Sequence, residues 1–213
     1  MCAVSEIGSD PKMTNREKAV TVALDNAISR LKHVDMPERC NILELQYENN
    51  EIHIELFGRQ CCIMMPHLEV FYATDGKPVP PAYRVLVLHY LLCEQPVRPK
   101  GELISFWELP GGQFYWKPFL SRTVIPLVRK VGNDLDVLHE VLNRLKHVNV
   151  NIGDISASIH GIGKLWIMLI YRVGDEEFPP SAEIFFDSCI KNVICTEDCA
   201  VLAGNICYRL VSD

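Results

Sequence analysis

The segment Arg30-Leu31-Lys32-His33-Val34 recurs unchanged as Arg144-Leu145-Lys146-His147-Val148, a displacement of 114 positions. Held without a gap, the same displacement sets Pro66 on Pro180, Glu69 on Glu183, Phe71 on Phe185, Lys77 on Lys191 and Val79 on Val193. It also sets Val87 on Val201, Leu88 on Leu202 and Cys93 on Cys207. A five-residue match alone is within the reach of chance; its coincidence with scattered apolar and charged matches in one register is not. A repeat governs the architecture before any local pattern does. The expectation is therefore an α+β protein of two α-β-β-β-α halves, residues 15–93 and 134–213. The connecting insert, 94–133, lies outside the repeat. Halves of this size are marginal as independent domains, so they are expected to share one body, preceded by a disordered terminus over 1–14.

Local patterns fill in the halves. Val20, Leu24, Ala27, Ile28 and Leu31 recur at helical spacing over 15–33. ILELQYE (42–48) and EIHIELFG (51–58) alternate on either side of Asn49-Asn50 and read as a hairpin. Short apolar runs at 61–65 and 68–72 read as strands, and Pro80-Pro81 opens a nearly all-apolar, buried helix over 82–93. In the second half, 134–147 reads as a helix, with 155–161, 165–173 and 182–188 as strands. Thr196 then caps a helix reaching Arg209, with Glu197 and Asp198 in its first turn. His33 and His147 are thereby placed at equivalent helix C-termini. The strands are expected to form antiparallel sheets with the two apolar helices packed on them.

Composition excludes several classes of function. Of 213 residues, 48% are hydrophobic and 23% charged, as in an ordinary folded chain. A net charge of −6 gives no electrostatic footprint for nucleic acid. No apolar run approaches the roughly 18 residues of a membrane span, and the N-terminus lacks the pattern of a signal peptide. A cytoplasmic protein with no nucleic-acid or membrane partner is expected. The nine cysteines then read as reduced thiols, and their odd number argues against a closed disulfide framework.

The insert is where chemistry concentrates. ISFWELPGGQFYWKPFLSR (104–122) is aromatic where a linker would be polar, so it packs on something. Rings beside Gly111-Gly112 can wall a large, flat ligand, with Lys117 and Arg122 available to an anionic group. The alternative is a strap whose rings are simply core. Cys195 and Cys199 share a helix face near the N-terminus, where the dipole favours thiolate, with Cys189 and Cys207 nearby in sequence. Their spacing fits no compact zinc or iron–sulfur pattern, and no metal ligand set is assigned. Asp187, Glu197 and Asp198 form an acidic group that serves acid–base chemistry only if burial separates their pKa values.

LHYLL (88–92), ISFWELPGGQFYWKPFLSR (104–122), GDEEFPP (174–180), FFDS (185–188) and TED (196–198) together resemble the prokaryotic family known as domain of unknown function 3786, over roughly residues 40–210. No activity is established for that family. The resemblance implies a context, anaerobic cofactor or one-carbon metabolism, because some relatives carry a module like the four-iron cluster domain of corrinoid iron–sulfur proteins. This chain cannot hold such a cluster in its first 40 residues, where only Cys2 and Cys40 occur. The reading that follows is a non-catalytic cofactor- or ligand-binding protein, with a corrinoid or related tetrapyrrole as the cofactor. Its partners would be that small molecule or a corrinoid/iron–sulfur protein. The expected ligand-binding residues are His89, Tyr90, Phe106, Glu108, Gly112, Tyr115, Phe119, Arg122 and Asp187. His89 is either an axial metal ligand or a core histidine bonded to a carbonyl. Two rivals remain: a small enzyme using Glu108, Arg122, Asp187 and Asp198 in a cleft between the halves, and an interaction module docking through the insert.

Overall fold

The computed structural model describes residues 14–212, so the disorder expected over 1–14 lies outside the described residues except at Thr14, which is an ordered cap. Thr14 caps helix α1 (Asn15–Leu31) by a reciprocal box with Glu17. Asp35 then accepts the Glu38 N–H and, with Pro37 in the first turn, starts a second helix, α2 (Met36–Leu43). This corrects the strand expected over 42–48. The cap and proline outweigh the alternation, and only β1 (Gln46–Glu48) is extended. Strands β2 (Glu51–Leu56), β3 (Arg59–Met64) and β4 (Glu69–Tyr72) continue an antiparallel meander. Its first two loops, Asn49-Asn50 and Phe57-Gly58, have positive φ at both residues, the backbone that two-residue hairpins require. Helix α3 (Pro81–Leu91) follows.

The insert contributes β5 (Leu103–Ser105), α4 (Gly112–Arg122) and α5 (Val124–Val131), so it is structured throughout much of its length. Helix α6 (Leu135–Leu142) stops short of the expected 147. His147 instead opens β6 (His147–Val150), because the free edge of the next strand offers its backbone a ladder. The supposed equivalence of His33 and His147 at helix ends is therefore wrong. Strands β7 (Ile155–Ile162), β8 (Leu165–Arg172) and β9 (Ser181–Asp187) complete a second meander, and α7 (Thr196–Val211) closes the chain. Cys195, not Thr196, is the N-cap of α7; the Thr196 hydroxyl donates to the Pro110 carbonyl at 2.7 Å and ties the helix to the insert.

All strands join one nine-stranded antiparallel sheet, ordered β4-β3-β2-β7-β8-β9-β5, with β1 on β2 and β6 on β7. The α+β class stands. The ungapped register does not: a displacement of 114 carries β3 onto 173–178, the loop between β8 and β9. What the halves share is an order of elements, a four-strand meander followed by a helix, with four strands where three were expected. Among the described residues no helix is long and apolar enough to cross a membrane.

The two meanders meet at a narrow seam. Leu56 of β2 pairs with Ile162 of β7, the Phe57 N–H donates to the Gly161 carbonyl (2.6 Å), and the Gly163 N–H donates to the Glu55 carbonyl (2.9 Å). Buried His160 locks this junction. The Gly58 N–H can only donate, so Nδ1 of His160 (3.1 Å) is the acceptor, and Nε2–H donates to the Gly163 carbonyl (3.0 Å). The ring is thereby neutral and fixed in one tautomer across both central turns. Burial pushes its pKa down; the Gly163 carbonyl and Glu55 oppose this, and Lys146 adds to it.

A depressed folded-state pKa means that the unfolded chain takes up the proton first as pH falls. Stability from this group is complete above the ordinary histidine value of about 6.5 and declines below it, toward the lower folded-state pKa. The urea midpoint should fall on going from about pH 7.5 to about pH 5.5. His160→Asn should cost about 1–3 kcal/mol at the higher pH, from groups left poorly bonded, and flatten the dependence. A pH profile unchanged by the substitution would contradict the assigned tautomer.

Candidate functional site

Four helices each turn one stripe toward a common cavity of about 1010 Å3. Arg16, Ala19, Val20 and Ala23 of α1 form one wall, and Tyr115, Pro118, Phe119 and Arg122 of α4 another. The floor comes from Ala82, Val85 and His89 of α3 and from Asp198, Val201, Asn205 and Tyr208 of α7. Each set follows helical spacing, so each is one face of its helix. The walls are largely apolar, with small residues on α1 and on α7 (Ala200, Gly204) keeping the space open.

Polar groups gather where α3 meets the N-terminus of α7. Asp198 sits in the first turn of α7, only 4% exposed, and its Oδ2 lies 2.6 Å from Nδ1 of His89. A carboxylate can only accept, so Nδ1 carries the proton and, in the neutral imidazole, the lone pair stands at Nε2. Among the described residues Nε2 of His89 makes no hydrogen bond. The Cys195 thiol donates to the same Oδ2 at 3.2 Å. Partial burial, followed by the Asp198 charge, pushes this thiol up to about 12. The expectation of a thiolate favoured by the helix dipole is therefore corrected: the adjacent carboxylate and burial override it. His89 is also no base for Cys195, because Asp198 accepts from both.

The structure distributes the expected site residues unevenly. His89, Phe106, Tyr115, Phe119 and Arg122 line the cavity. Phe106 and Phe119 are also core, stacked at 4.0 Å between centroids and both buried, so for these rings the strap reading and the wall reading hold together. Tyr90, Glu108, Gly112 and Asp187 do not reach the cavity. Tyr90 points the other way on α3, its buried hydroxyl accepting the Lys164 N–H at 3.2 Å. Glu108 caps Ser105, accepting its N–H at 2.7 Å and its hydroxyl at 2.8 Å. Gly112 packs on the Phe106 carbonyl, where an added Cβ would lie 1.9 Å from the oxygen. Burial raises the carboxyl pKa of Asp187, but N–H donors from Cys189, Lys100 and Gly101 outweigh it and hold the group below the usual range. All four thus have structural duties, in caps, in packing or in a buried hydrogen bond.

The proposed enzyme set of Glu108, Arg122, Asp187 and Asp198 consequently shares no cleft, since only Arg122 and Asp198 face the cavity. Cys189, Cys195, Cys199 and Cys207 form no metal-sized group among the described residues; Cys199 and Cys207 are core. Sequence reasoning missed Asp198 as the partner of His89 and missed the contribution of α1. The signal for α1 was available in Arg16, Ala19, Val20 and Ala23, small and basic residues on one helical stripe. Arg16 and Arg122, which line the cavity from α1 and α4, make no hydrogen bond or ion pair among the described residues.

A family model described as Domain of unknown function (DUF3786) matches residues 35–209, and the chain belongs to that family. No curated protein and no solved structure matches it.

Cys195 is exposed, yet its thiol should alkylate slowly with iodoacetamide near neutral pH, because the thiolate is scarce. Asp198→Asn removes the charge that opposes ionisation and should speed that reaction by roughly tenfold or more. Peptide mass spectrometry of timed reactions reads both rates. An unchanged rate in Asp198→Asn would mean that Asp198 does not control the thiol.

Proposed function

We propose that this protein binds, without transforming, a large ring-shaped cofactor of the tetrapyrrole class, corrinoids included, in the four-helix cavity. The observation that carries this reading is the His89–Asp198 pair at 2.6 Å on the cavity floor. A carboxylate on one imidazole nitrogen fixes the tautomer, orients the ring and raises the basicity of the other nitrogen. That is how proteins present histidine to a metal centre. The buried His160, by contrast, uses both of its nitrogens internally.

The cavity's volume and lining support the same class. Drug-sized ligands occupy roughly 300–1,000 Å3, and this space lies at the upper end, which favours a large molecule. Its apolar walls suit a macrocycle face, and Arg16 and Arg122 offer two guanidinium forks to peripheral carboxylates or a phosphate. His89 would hold the metal, Asp198 would orient His89, and Tyr115 and Phe119 would lie along the ring. The cofactor would supply metal-centred chemistry; these residues would supply binding and orientation. The cysteine is held as a thiol and has no adjacent base, which weighs against a hydrolase of the cysteine–histidine kind.

A second reading, docking of a partner protein such as a corrinoid/iron–sulfur protein, rests on a separate observation. Trp107, Phe114 and Tyr115 are respectively 48%, 84% and 54% exposed on the insert beside the cavity. The two readings are compatible if the partner delivers the cofactor.

Anaerobic titration with cobalamin, followed by absorbance and native mass spectrometry, should give a one-to-one complex with a shifted spectrum. His89→Ala should abolish the shift while leaving the thermal unfolding curve in place. Asp198→Asn should weaken binding by roughly 10–100-fold, the usual cost of losing an outer partner of a metal-bound histidine. Arg122→Ala should weaken it without altering the spectrum. No complex with cobalamin or with a simpler cobalt or iron tetrapyrrole would overturn the reading.

A further inference from the structure

Glu51 and His53 of β2 and Cys62 and Met64 of β3 stand on the solvent-facing side of the first meander, and none of them lines the cavity. The register fixes their neighbourhood: His53 pairs directly with Cys62, and Glu51 with Met64. Residues 51, 53, 62 and 64 therefore share one face of two adjacent strands. The Cys62 Sγ lies 3.3 Å from Glu51 Oε2 and 3.7 Å from the Met64 Sδ, and His53 Nε2 is 4.0 Å from the same Glu51 oxygen. One donor atom each from Glu51, His53 and Cys62 lies within 4.8 Å of the others.

Those separations decide what the cluster can do. Ligands bound at about 2.0–2.3 Å in a tetrahedral zinc site lie about 3.3–3.8 Å from one another. The Glu51–Cys62 spacing falls in that range and the Glu51–His53 spacing just outside it. The His89–Cys195–Asp198 group fails the same test. Its imidazole and carboxylate are 2.6 Å apart, closed by a hydrogen bond and too near to flank one ion. The two groups differ in one spacing: the thiol donates to the carboxylate in both, at 3.2 Å from Cys195 and 3.3 Å from Cys62, but only in the sheet group does the imidazole stand off from the carboxylate, at 4.0 Å.

We propose that Glu51, His53 and Cys62 form a binding site for a zinc-class divalent cation, with the fourth position open to water. The donor set is borderline soft, one carboxylate, one imidazole and one thiolate, which is the zinc preference. Met64 closes one side of the sulfur with a weak thioether donor. Binding exchanges the Cys62 thiol proton for the cation, and the two ligand anions neutralise the 2+ charge. The proton now held between Cys62 and Glu51 is released to solvent, so affinity rises with pH. The site is independent of the cavity and of any ligand bound there.

Cobalt(II) added to the reduced full-length protein under anaerobic conditions reports on the site through its thiolate-to-metal charge-transfer band. The expected result is saturation at one cobalt per chain, displacement by zinc, and loss of the band in Cys62→Ser. His53→Ala and Glu51→Gln should each weaken binding by on the order of 100-fold, since even outer partners are worth roughly 10–100-fold. Cys195→Ser should leave the titration unchanged. A band that survives Cys62→Ser but disappears in Cys195→Ser would move the metal to the cavity group and overturn the proposal. Absence of saturable binding would overturn it as well. Circular dichroism of each variant separates lost ligands from lost fold.

Discussion

The arrangement rests on the junction of β2 and β7. Few backbone bonds link the two meanders, and one neutral histidine bridges both of the turns that flank them. Position is transmitted from there to the helices. Gly163 has φ of +53°, and a Cβ there would lie 2.5 Å from the Tyr90 ring, so α3 rests directly on the turn that His160 holds. The Lys164 N–H bonded to the Tyr90 hydroxyl fixes the contact from the other side. His89 is the next residue back along α3, and α7 packs on both β7 and α3. A buried polar lock in the sheet thus sets the distance between an imidazole on one helix and a carboxylate on another. Such a network specifies geometry only when every member is satisfied, and no buried side-chain polar atom among the described residues lacks a partner.

The same economy explains which polar residues are available for function. Carboxylates at Glu108 and Asp187 are committed to turns, where their acceptor oxygens satisfy N–H groups that would otherwise be orphaned. Asp198 also occupies a first helical turn, where the dipole favours its charge. It differs in that it faces His89 across a helix–helix contact and makes a charge-assisted bond there. The aromatic insert behaves similarly. Phe106 and Phe119 face inward and bind the insert to the sheet through Phe186, whereas Tyr115 is left on the rim.

Much of this was legible in the sequence. Alternation located β2, the strands read over 155–161 and 165–173 correspond to β7 and β8, the proline pair located α3, and the aromatic insert pointed to one wall of the cavity. The failures have particular causes. Alternation over 42–48 misled because an Asp35 cap and Pro37 are stronger local determinants than a short apolar–polar pattern. The RLKHV match misled because identical pentapeptides sit in different surroundings: one forms the C-terminal end of α1, while the other leads into a strand beside the edge of β7. Glu108, Asp187 and Gly112 were chosen for their residue types, and type does not reveal whether a side chain is already used by its own backbone. The pairing of His89 with Asp198 spans 109 positions, and no local pattern encodes it.

The central proposal is that His89, oriented by Asp198, would coordinate a metal centre in the cavity. The most direct measurement is electron paramagnetic resonance of a cobalt(II) tetrapyrrole bound to protein whose histidines carry nitrogen-15. The account predicts that axial nitrogen splitting of the cobalt signal changes from a triplet to a doublet on labelling. A splitting pattern indifferent to the label, in a protein that still binds the ring, would show that no histidine reaches the metal and would contradict the account.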